Sequence, residues 1–288
     1  MSNKLVYIIL VNYNNYIDTF NCINSINNSN YKYFKIIVVD NNSSDNSFSL
    51  LNQSFSSRKN VILLKSNRNG GFSYGNNIGI KYALKHKVDY LWILNNDTII
   101  KKNTLKKLVT KINSDFKIGC IGLTIKYFNS ELVHTYGGGK LYLNFGFIRR
   151  FKEYNSFPDY ISGTSMFIKK EVFNDIGLFD ESFFMYWEDV DLSIRISEKW
   201  HLDVEKKAVI HHKISSSVPK KNNKRDFFFE ENNFKSLIIL LKKRVRLHFI
   251  PISLAYFLRL IKRIICFKLN NCRIITRIYF NYILGQKY

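Results

Sequence analysis

The sequence predicts an α/β fold in which a mainly parallel, Rossmann-like sheet is flanked by helices. Four apolar runs recur in the first hundred positions, and helix-like stretches lie between them. Strands that are buried on both faces read as continuous apolar runs, which is typical of parallel sheets. The predicted strands are Leu5–Val11, Phe34–Val39, Val61–Leu64 and Tyr90–Leu94, and the predicted helices are Tyr16–Ile26 and Phe72–Lys87.

Polar residues directly follow each predicted strand. The chain reads VNYNNY from Val11, DNNSSDNS from Asp40, SNRNGGFSYGNNIG from Ser66 and NND from Asn95. Turn formation explains any single one of these loops, because Asn, Asp, Ser and Gly all suit turns. Four such loops at one edge of a parallel sheet indicate a ligand site, because open α/β sheets bind ligands at the carboxyl ends of their strands.

The NND segment places one carboxylate at the end of a buried strand. A polar side chain at that position is costly unless it binds something. Mg²⁺ and Mn²⁺ prefer oxygen ligands and need only one or two carboxylates when phosphates supply the rest. Asp97 is therefore a candidate metal ligand, with Asn95 and Asn96 as hydrogen-bonding neighbours.

Two further side chains at this edge suit a nucleotide. Asp40 follows the second strand and could accept hydrogen bonds from a ribose hydroxyl or a base N–H, and Arg68 could meet a phosphate. The glycines of the third loop permit close backbone approach. Their spacing matches neither the dinucleotide fingerprint nor the P-loop, so neither site is inferred.

Residues 101–216 read as the second half of the same α/β body. They contain a predicted strand at Thr164–Ile168, a short helix at Lys170–Ile176 and a second helix that opens near Glu188.

The second acidic cluster is WEDVD, which begins at Trp187. Acids at a helix start are stabilised by the helix dipole, and Asp191 precedes Arg195 by four residues, so a structural role explains part of the cluster. The preceding aromatic run, from Phe183 to Trp187, favours a chemical role, because aromatic cover desolvates a carboxylate and keeps it basic. Glu188 and Asp189 are the acids that the structural role explains less well.

His211 and His212 follow an apolar run and precede KISSS. A histidine after a strand is most often structural, and the pair leaves a metal-ligand role open as the alternative.

Positive charge is concentrated at the C-terminal end. The formal net charge is +22, and no Asp or Glu follows Glu231, whereas 12 basic residues do. Nucleic-acid binding is disfavoured, because the aromatic residues lie in core-like runs and do not interleave with the basic ones. The longest charge-free apolar stretch of the tail, Leu247 to Leu258, is too short to span a bilayer, and Pro251 should break or start a helix within it. The tail is predicted to dock on an anionic membrane surface; the alternative is packing on the body or on a second subunit, as in a homo-oligomer.

The cysteines and the N-terminus predict a cytoplasmic protein, and the predicted docking of the tail adds a position on the inner face of the plasma membrane. The four cysteines form no CxxC pair and no zinc spacing, which favours reduced thiols. The first apolar run is too short for a signal peptide.

Six motifs together resemble the family-2 glycosyltransferases of the GT-A fold, especially their rhamnosyltransferase-like branch, which builds surface polysaccharides. They are VNYN, VVDNNSSDNS, NRNGGFSYGNNIGI, LNNDT, the segment from Ser162 to Arg195, and HHKISSS, and they occur in the family's order. The resemblance covers about Leu5 to Asn233.

The resemblance implies a role for each motif. Asp97 would be the metal-binding acid of a DxD-type motif, His212 would assist it, and Asp189 would be the catalytic base. Asn95 stands where the family's motif has its first acid, so the protein supplies less negative charge to the cation. Trp187 and Glu188 would lie on the acceptor side. The nucleotide-sugar would contact Asn12, Asn14, Asp40, Arg68, Gly71, Asn76, Asn95 and Asn96.

The predicted organisation is a nucleotide-sugar-binding half (1–100), an acceptor-binding and catalytic half (101–216) and a basic helical region (217–288). The implied function is an inverting transfer from dTDP-rhamnose or a UDP-hexose to a glycan or lipid-linked acceptor, with Mn²⁺ or Mg²⁺. The alternatives are a non-catalytic scaffold that kept the fold, and a nucleotidyltransferase. The latter usually carries a Gly-rich, Arg-containing loop after its first strand, where this chain has NYNNY.

Overall fold

The computed structural model describes residues 4–154, 156–213 and 224–286. Within them the strands are β1 Val6–Asn12, β2 Phe34–Asp40, β3 Val61–Lys65, β4 Tyr90–Leu94, β5 Thr98–Ile100, β6 Ile118–Tyr127, β7 Val133–Tyr136, β8 Gly138–Tyr142, β9 Phe147–Arg150, β10 Tyr160–Ile161, β11 Ser165–Lys169 and β12 His201–His212. The helices are α1 Tyr16–Asn27, α2 Ser47–Phe55, α3 Gly71–Leu84, α4 Thr104–Ile112, α5 Lys170–Ile176, α6 Glu188–Ser197, α7 Lys224–Arg244, α8 Phe249–Ile265 and α9 Leu269–Ile283.

One large mixed sheet forms the centre of the molecule. Its order is β3-β2-β1-β4-β11-β6-β12-β5, with β7 paired to β6, and the first four of these strands are parallel. The register sets Asn12 opposite Asp40. Strand β11 runs antiparallel to β4, with Ser165 opposite Leu94, so the loop before β11 reaches the carboxyl end of β4.

At the far edge of the sheet, the end of β12 lies beside the NND segment. Strand β12 runs antiparallel to β5, and His212 lies opposite Thr98. His212 therefore becomes a neighbour of Asp97 although 115 positions separate them in the sequence.

Apolar side chains cover both faces of the sheet. Cys22, Ile23 and Ile26 of α1 lie in the cluster on one face, and Ile80 and Ala83 of α3 lie in the cluster on the other. The four predicted strands are confirmed to within one residue, because continuous apolar runs were the correct signal for doubly covered strands. Helix α3 ends at Leu84, earlier than predicted, because the N–H groups of Lys85 and His86 donate to the carbonyl oxygens three residues back and close a tighter last turn.

Two helices, the strands β5 to β7 and a small sheet escaped the sequence analysis. The predicted loop DNNSSDNS ends inside α2, whose polar composition hides an apolar pair, Leu51 and Phe55, on its buried face. Helix α4 was also missed. Strands β8, β9 and β10 form a separate three-stranded antiparallel sheet that contacts α6 through β10.

The C-terminal helices pack on the body through part of their surface. Phe234 and Leu237 of α7 share a cluster with Phe183, Trp187 and Val190 beside the start of α6. Helix α8 begins two residues before Pro251, which therefore lies in a helical first turn, where proline is tolerated. The predicted boundary at residues 216 and 217 lies outside the described residues. The polar KKNNKR break also lies outside them, except for the backbone of its last two residues. No helix among the described residues has the length and apolarity needed to cross a bilayer.

Candidate active site

Asp40 is the centre of a buried hydrogen-bond network at the ends of β1 and β2. Its carboxylate accepts bonds from Asn12 Nδ2 at 2.8 Å, from Ser43 Oγ at 2.7 Å and from the Ser43 backbone N–H at 3.0 Å. The residue is 1% exposed. Three donors hold this carboxylate in place at the edge where the sequence predicted a nucleotide contact.

The same network reaches the end of β4. Thr19 Oγ1 lies 2.8 Å from Asn12 Oδ1, and Asn96 Nδ2 donates to Thr19 Oγ1 at 2.7 Å. A continuous chain of polar contacts therefore joins the ends of three neighbouring strands. Neither Thr19 nor Ser43 was predicted, because a threonine inside a helix and one serine of a serine pair give no sequence signal.

Asn14 fixes the shape of the loop after β1. Its backbone has φ of 50°, and its side-chain oxygen accepts the Ser44 N–H at 2.8 Å. Asparagine tolerates this left-handed conformation better than most residues. Asn14 thus ties the first predicted loop to the second.

The third loop is tied to the second by Asn41, which sequence analysis did not single out. Asn41 Nδ2 donates to Asn69 Oδ1 and to the carbonyl oxygen of Gly71, both at 3.0 Å. Gly71 has φ of 82°, and a Cβ atom there would lie 2.0 Å from the Phe184 carbonyl oxygen. Only glycine fits this contact between the loop and the aromatic run.

Two residues of this region that were predicted to contact the nucleotide-sugar do not belong to the Asp40 hydrogen-bond network. Arg68 is exposed, with its guanidinium 4.9 Å from the centre of the Tyr74 ring. Asn76 is buried, and its amide donates to the Phe72 carbonyl within α3 at 3.0 Å. The contacts of Arg68 and Asn76 with the nucleotide-sugar, like that of Gly71, stay predictions.

Asp97 and His212 form a second buried pair. His212 Nε2 lies 3.0 Å from Asp97 Oδ1 and 3.4 Å from Asn95 Nδ2. The Lys213 N–H donates to the Asp97 carbonyl oxygen at 3.0 Å and closes the turn between β4 and β5 onto β12. His211 faces away, with Nδ1 at 3.4 Å from the Tyr127 carbonyl oxygen, so the structure distinguishes the two histidines.

A carboxylate oxygen is a fitting ligand for Mn²⁺ or Mg²⁺, and an imidazole nitrogen beside it suits the transition-metal ion better than the harder Mg²⁺. Within the described ranges no group of three or more His, Cys, Asp or Glu side chains could hold a metal ion. A cation here would therefore take its remaining ligands from a diphosphate and from water.

Glu188 and Asp189 begin α6 under aromatic cover. Tyr186 and Trp187 both have positive φ, 71° and 67°, and this strained turn sets the direction of the helix. Asp189 Oδ2 accepts the Gly163 N–H at 2.7 Å, and Oδ1 accepts the Val190 N–H at 2.8 Å.

Burial separates the two acids chemically. It raises the pKa of Glu188 well above the ordinary value, and the charge of Asp189 raises it further. Burial also raises the pKa of Asp189, but its two backbone N–H donors and the nearby charge of Arg150 oppose that rise. Glu188 thus keeps its proton more readily, and Asp189 is the acid whose hydrogen bonds and charged neighbour oppose the rise of its pKa.

The loop from Ser162 to Thr164 joins the acid cluster to the strand ends. The Asn95 N–H donates to the Thr164 carbonyl oxygen at 3.0 Å, while the Gly163 N–H donates to Asp189. A Cβ atom on Gly163 would lie 3.2 Å from Asp189 Cβ, so the approach is close. Asp189 is therefore held beside the NND segment.

The predicted acceptor-side residues carry buried polar atoms that lack hydrogen-bond partners. Within the described part of the chain, Trp187 Nε1 and Glu188 Oε2 have no hydrogen-bond partner. Buried polar groups are normally paired, so such atoms indicate a ligand or ordered water.

Asp191 has the structural role that its spacing suggested. It is 1% exposed, and its carboxylate accepts bonds from Arg195 at 2.9 Å and from Arg244 of α7 at 2.6 Å. The ion pair with Arg195 was predicted, whereas Arg244 was not. Asp191 thus fastens α7 to α6.

Comparison with known proteins places this chain in a family. The sequence model of glycosyl transferase family 2 matches residues 7–177, more than half of the chain. The chain belongs to glycosyl transferase family 2. The resemblance inferred from the six motifs is confirmed. The family-2 match ends before α6, so the predicted roles of Asp189 and His212 receive no test from it.

Three relatives are similar in sequence to this family-2 chain. The low-salt glycan biosynthesis hexosyltransferase Agl10 of Haloferax volcanii is 33% identical over 196 residues, which are 65% of this chain and 60% of Agl10. The rhamnosyltransferase WbbL of Escherichia coli is 27% identical over 67% of this chain and 77% of WbbL. The N-acetylglucosaminyl-diphospho-decaprenol L-rhamnosyltransferase of Mycobacterium tuberculosis is 39% identical over 56 residues, 19% of this chain and 18% of that protein. The match with Agl10 thus spans three fifths of that relative's length.

Solved structures confirm the GT-A fold. The mannosyltransferase PcManGT of Pyrobaculum calidifontis, solved with GDP-Man and Mn²⁺, superposes with a TM-score of 0.63 at 15% identity over 89% of this chain and 70% of that chain. GalNAc-T7 with UDP, GalNAc and Mn²⁺ gives 0.64 at 17% identity over 73% of this chain and 44% of that chain.

Proposed function

We propose that this family-2 chain transfers a sugar from a nucleotide-diphosphate donor to a hydroxyl group of a glycan or lipid-linked acceptor, with inversion at the sugar carbon. The observation that carries the proposal is the placement of Asp189. Gly163 holds its carboxylate beside the strand end that carries Asn95 and the Asp97–His212 pair. A base and a metal-ligand pair at one strand end suit a displacement reaction.

The network around Asp40 and Asn96 would hold the ribose and base of the donor. Asp189 would accept the proton of the acceptor hydroxyl while that oxygen forms a bond to the sugar carbon. The bond between this carbon and the diphosphate oxygen breaks in the same step, and the nucleotide diphosphate leaves with the electron pair. Asp97 and His212 would hold Mn²⁺ or Mg²⁺, which when bound neutralises charge on the diphosphate.

The names of the relatives support the donor classes. WbbL and the mycobacterial protein are named as rhamnosyltransferases, and Agl10 is named as a hexosyltransferase. The proposed donor is accordingly dTDP-rhamnose or a UDP-hexose.

Thermal unfolding with a panel of nucleotide diphosphates and nucleotide-sugars tests the donor site. One nucleotide should stabilise the protein in the presence of Mn²⁺ and much less in EDTA. A ligand at a hundred times its dissociation constant should add about 2.7 kcal/mol to the free energy of unfolding. Stabilisation by no member of the panel would contradict the proposal. Stabilisation without release of nucleotide in the presence of any acceptor would favour the scaffold alternative.

The exposed surface of the C-terminal helices supports a peripheral position on a membrane. Helix α8 exposes Phe257, Leu258, Ile261, Ile264 and Ile265, which share one helical face. The exposed face of α9 combines apolar with basic residues: Leu269, Arg273, Arg277 and Phe280. Apolar and basic helices of this kind lie in the headgroup layer of anionic membranes. The proposed location is the cytoplasmic face, where nucleotide-sugars are available.

Vesicle co-sedimentation tests this position on the full chain. Truncation before α7 is unsuitable, because α7 covers Phe183 and Trp187. The full chain should bind vesicles that contain anionic lipid, and Ile265→Ser with Phe267→Ser should weaken binding at least tenfold, because each apolar side chain contributes about 1.5–3 kcal/mol when buried. Phe116→Ser is the matched control, since Phe116 is 79% exposed on the body.

Two outcomes would remove the membrane role. One is absence of binding by the full chain at low salt. The other is a dimer in solution that the Ile265→Ser, Phe267→Ser variant converts to monomer without changing vesicle binding.

A further inference from the structure

A cavity of about 250 Å³ lies among the three C-terminal helices. Side chains of α7, α8, the α8–α9 turn and α9 line it, among them Glu230, Lys262, Arg263, Lys268 and Asn271. The proposed transfer reaction uses none of these residues.

Positive charge exceeds negative charge at this cavity. Glu230 is 2% exposed and pairs with both Arg263 and Arg259, so one carboxylate serves two guanidinium groups. Lys268 pairs with Asp226. Lys262 forms no ion pair with any residue that the structure describes. Three basic side chains thus line the cavity with two acidic ones, and Arg259, which does not line it, also pairs with Glu230, so the local excess of positive charge favours an anion.

Two buried donors point to the same kind of ligand. Asn271 is 3% exposed, and its Nδ2 has no hydrogen-bond partner within the described residues. Arg263 Nε likewise has none, and neither has the acceptor Glu230 Oε2, whose negative charge Arg259 and Arg263 balance. A buried N–H group without an acceptor is destabilising, so these donors indicate an absent ligand that has oxygen atoms.

The turn beside the cavity is apolar and exposed. Phe267 is 90% exposed and has φ of 54°, a conformation that costs energy for a bulky residue. Ile264, Ile265 and Leu269 around it are between 52% and 70% exposed. A soluble anion would need no such surface, whereas a ligand whose other end lies in a bilayer fits it.

We propose that this cavity binds the phosphate group of an anionic phospholipid while the α8–α9 turn inserts into the bilayer. The apolar turn would enter the acyl region, and Lys262, Arg263 and Asn271 would contact the phosphate oxygens. This inference rests on the proposed membrane position and is independent of sugar transfer, because binding is measured without donor or acceptor.

Asn271→Ala in the full chain is the decisive variant, because it changes no charge. Diffuse attraction to an anionic surface predicts unchanged binding to phosphatidylcholine vesicles that contain phosphatidylglycerol. A headgroup contact predicts a loss of about tenfold, as expected for a hydrogen bond to a charged group. Asn270→Ala, at an exposed neighbour, is the matched control and should bind as wild type.

Lys262→Gln and Lys106→Gln form a second matched pair. Lys106 lies exposed on α4 of the body. Lys262→Gln should weaken binding about fivefold through surface charge alone and more if it contacts the phosphate. Water-soluble dihexanoyl phosphatidylglycerol should raise the thermal midpoint of wild type and not that of Asn271→Ala.

Three results would overturn the proposal. The first is wild-type vesicle binding by Asn271→Ala. The second is equal stabilisation by inorganic phosphate at matched ionic strength, which would identify a free-phosphate site. The third is an equal loss of vesicle binding in Lys106→Gln and Lys262→Gln, which would show that binding depends only on the diffuse positive charge of the surface. Unchanged thermal stability of Asn271→Ala without ligand would show that reduced binding does not reflect unfolding.

Discussion

Asp189→Asn should reduce sugar transfer by about 10²- to 10⁴-fold, the usual contribution of a general base. Donor binding should persist, because the side chain lies at the start of α6 and outside the Asp40 network. The amide oxygen can keep the bond from Gly163, although the bond from Val190 is lost. Steady-state kinetics and calorimetry on the same preparation would show a lower kcat with an unchanged dissociation constant for the donor.

The neighbouring acids supply two controls. Glu188→Gln should keep most of the activity, because burial already favours the neutral form of Glu188. Asp191→Asn should destabilise the protein by about 3 kcal/mol or more, since it breaks a buried ion pair with two arginines. Its folded fraction should remain active. Inactive Glu188→Gln beside active Asp189→Asn would assign the base to Glu188.

The pH profile provides an independent check on the base. Burial raises the pKa of Asp189, and only the ionised carboxylate can accept the proton. Transfer should therefore fall as the pH drops through a value above the ordinary aspartate pKa of about 3.9. A rate that stays constant down to pH 4 would contradict the assignment.

The sequence predicted those parts of the fold that depend on local pattern. The runs at Val6 and Tyr90 are apolar because both faces of their strands are covered, and this signal needs no knowledge of their neighbours. Helix α2 was missed because its buried residues, Leu51 and Phe55, are few among polar ones. The small sheet was missed because its strands pair across loops whose lengths carry no signal.

The site divides in the same way. Asp97 and Asp189 were singled out as site residues because acids after apolar or aromatic runs are conspicuous. Thr19 and Gly163 were not singled out, because their contacts with Asn96 and Asp189 join residues that are distant in sequence. The resemblance had already named His212, and the contact of its ring with Asp97 follows from the register of β12 against β5.

Asp97→Ala should abolish metal-dependent binding of the nucleotide and leave the fold intact. The backbone carbonyl of Asp97, which accepts the Lys213 N–H, is unaffected by the substitution. Loss of an outer partner of a metal ligand typically weakens binding about 10- to 100-fold, so loss of a ligand itself should weaken it at least that much. Calorimetry with UDP and dTDP, with Mn²⁺ and with EDTA, measures the effect.

The two histidines provide the matched pair for this experiment. His212→Gln should weaken Mn²⁺-dependent binding, because its Nε2 contacts Asp97 Oδ1 at 3.0 Å. His211→Gln should not, because its ring lies beside the Tyr127 carbonyl. Because Asn95 adds no charge beside Asp97, the protein alone should hold Mn²⁺ weakly, and metal and nucleotide should bind cooperatively. Wild-type affinity in Asp97→Ala with Mn²⁺, or equal effects of the two histidine variants, would show that the diphosphate is bound without this pair.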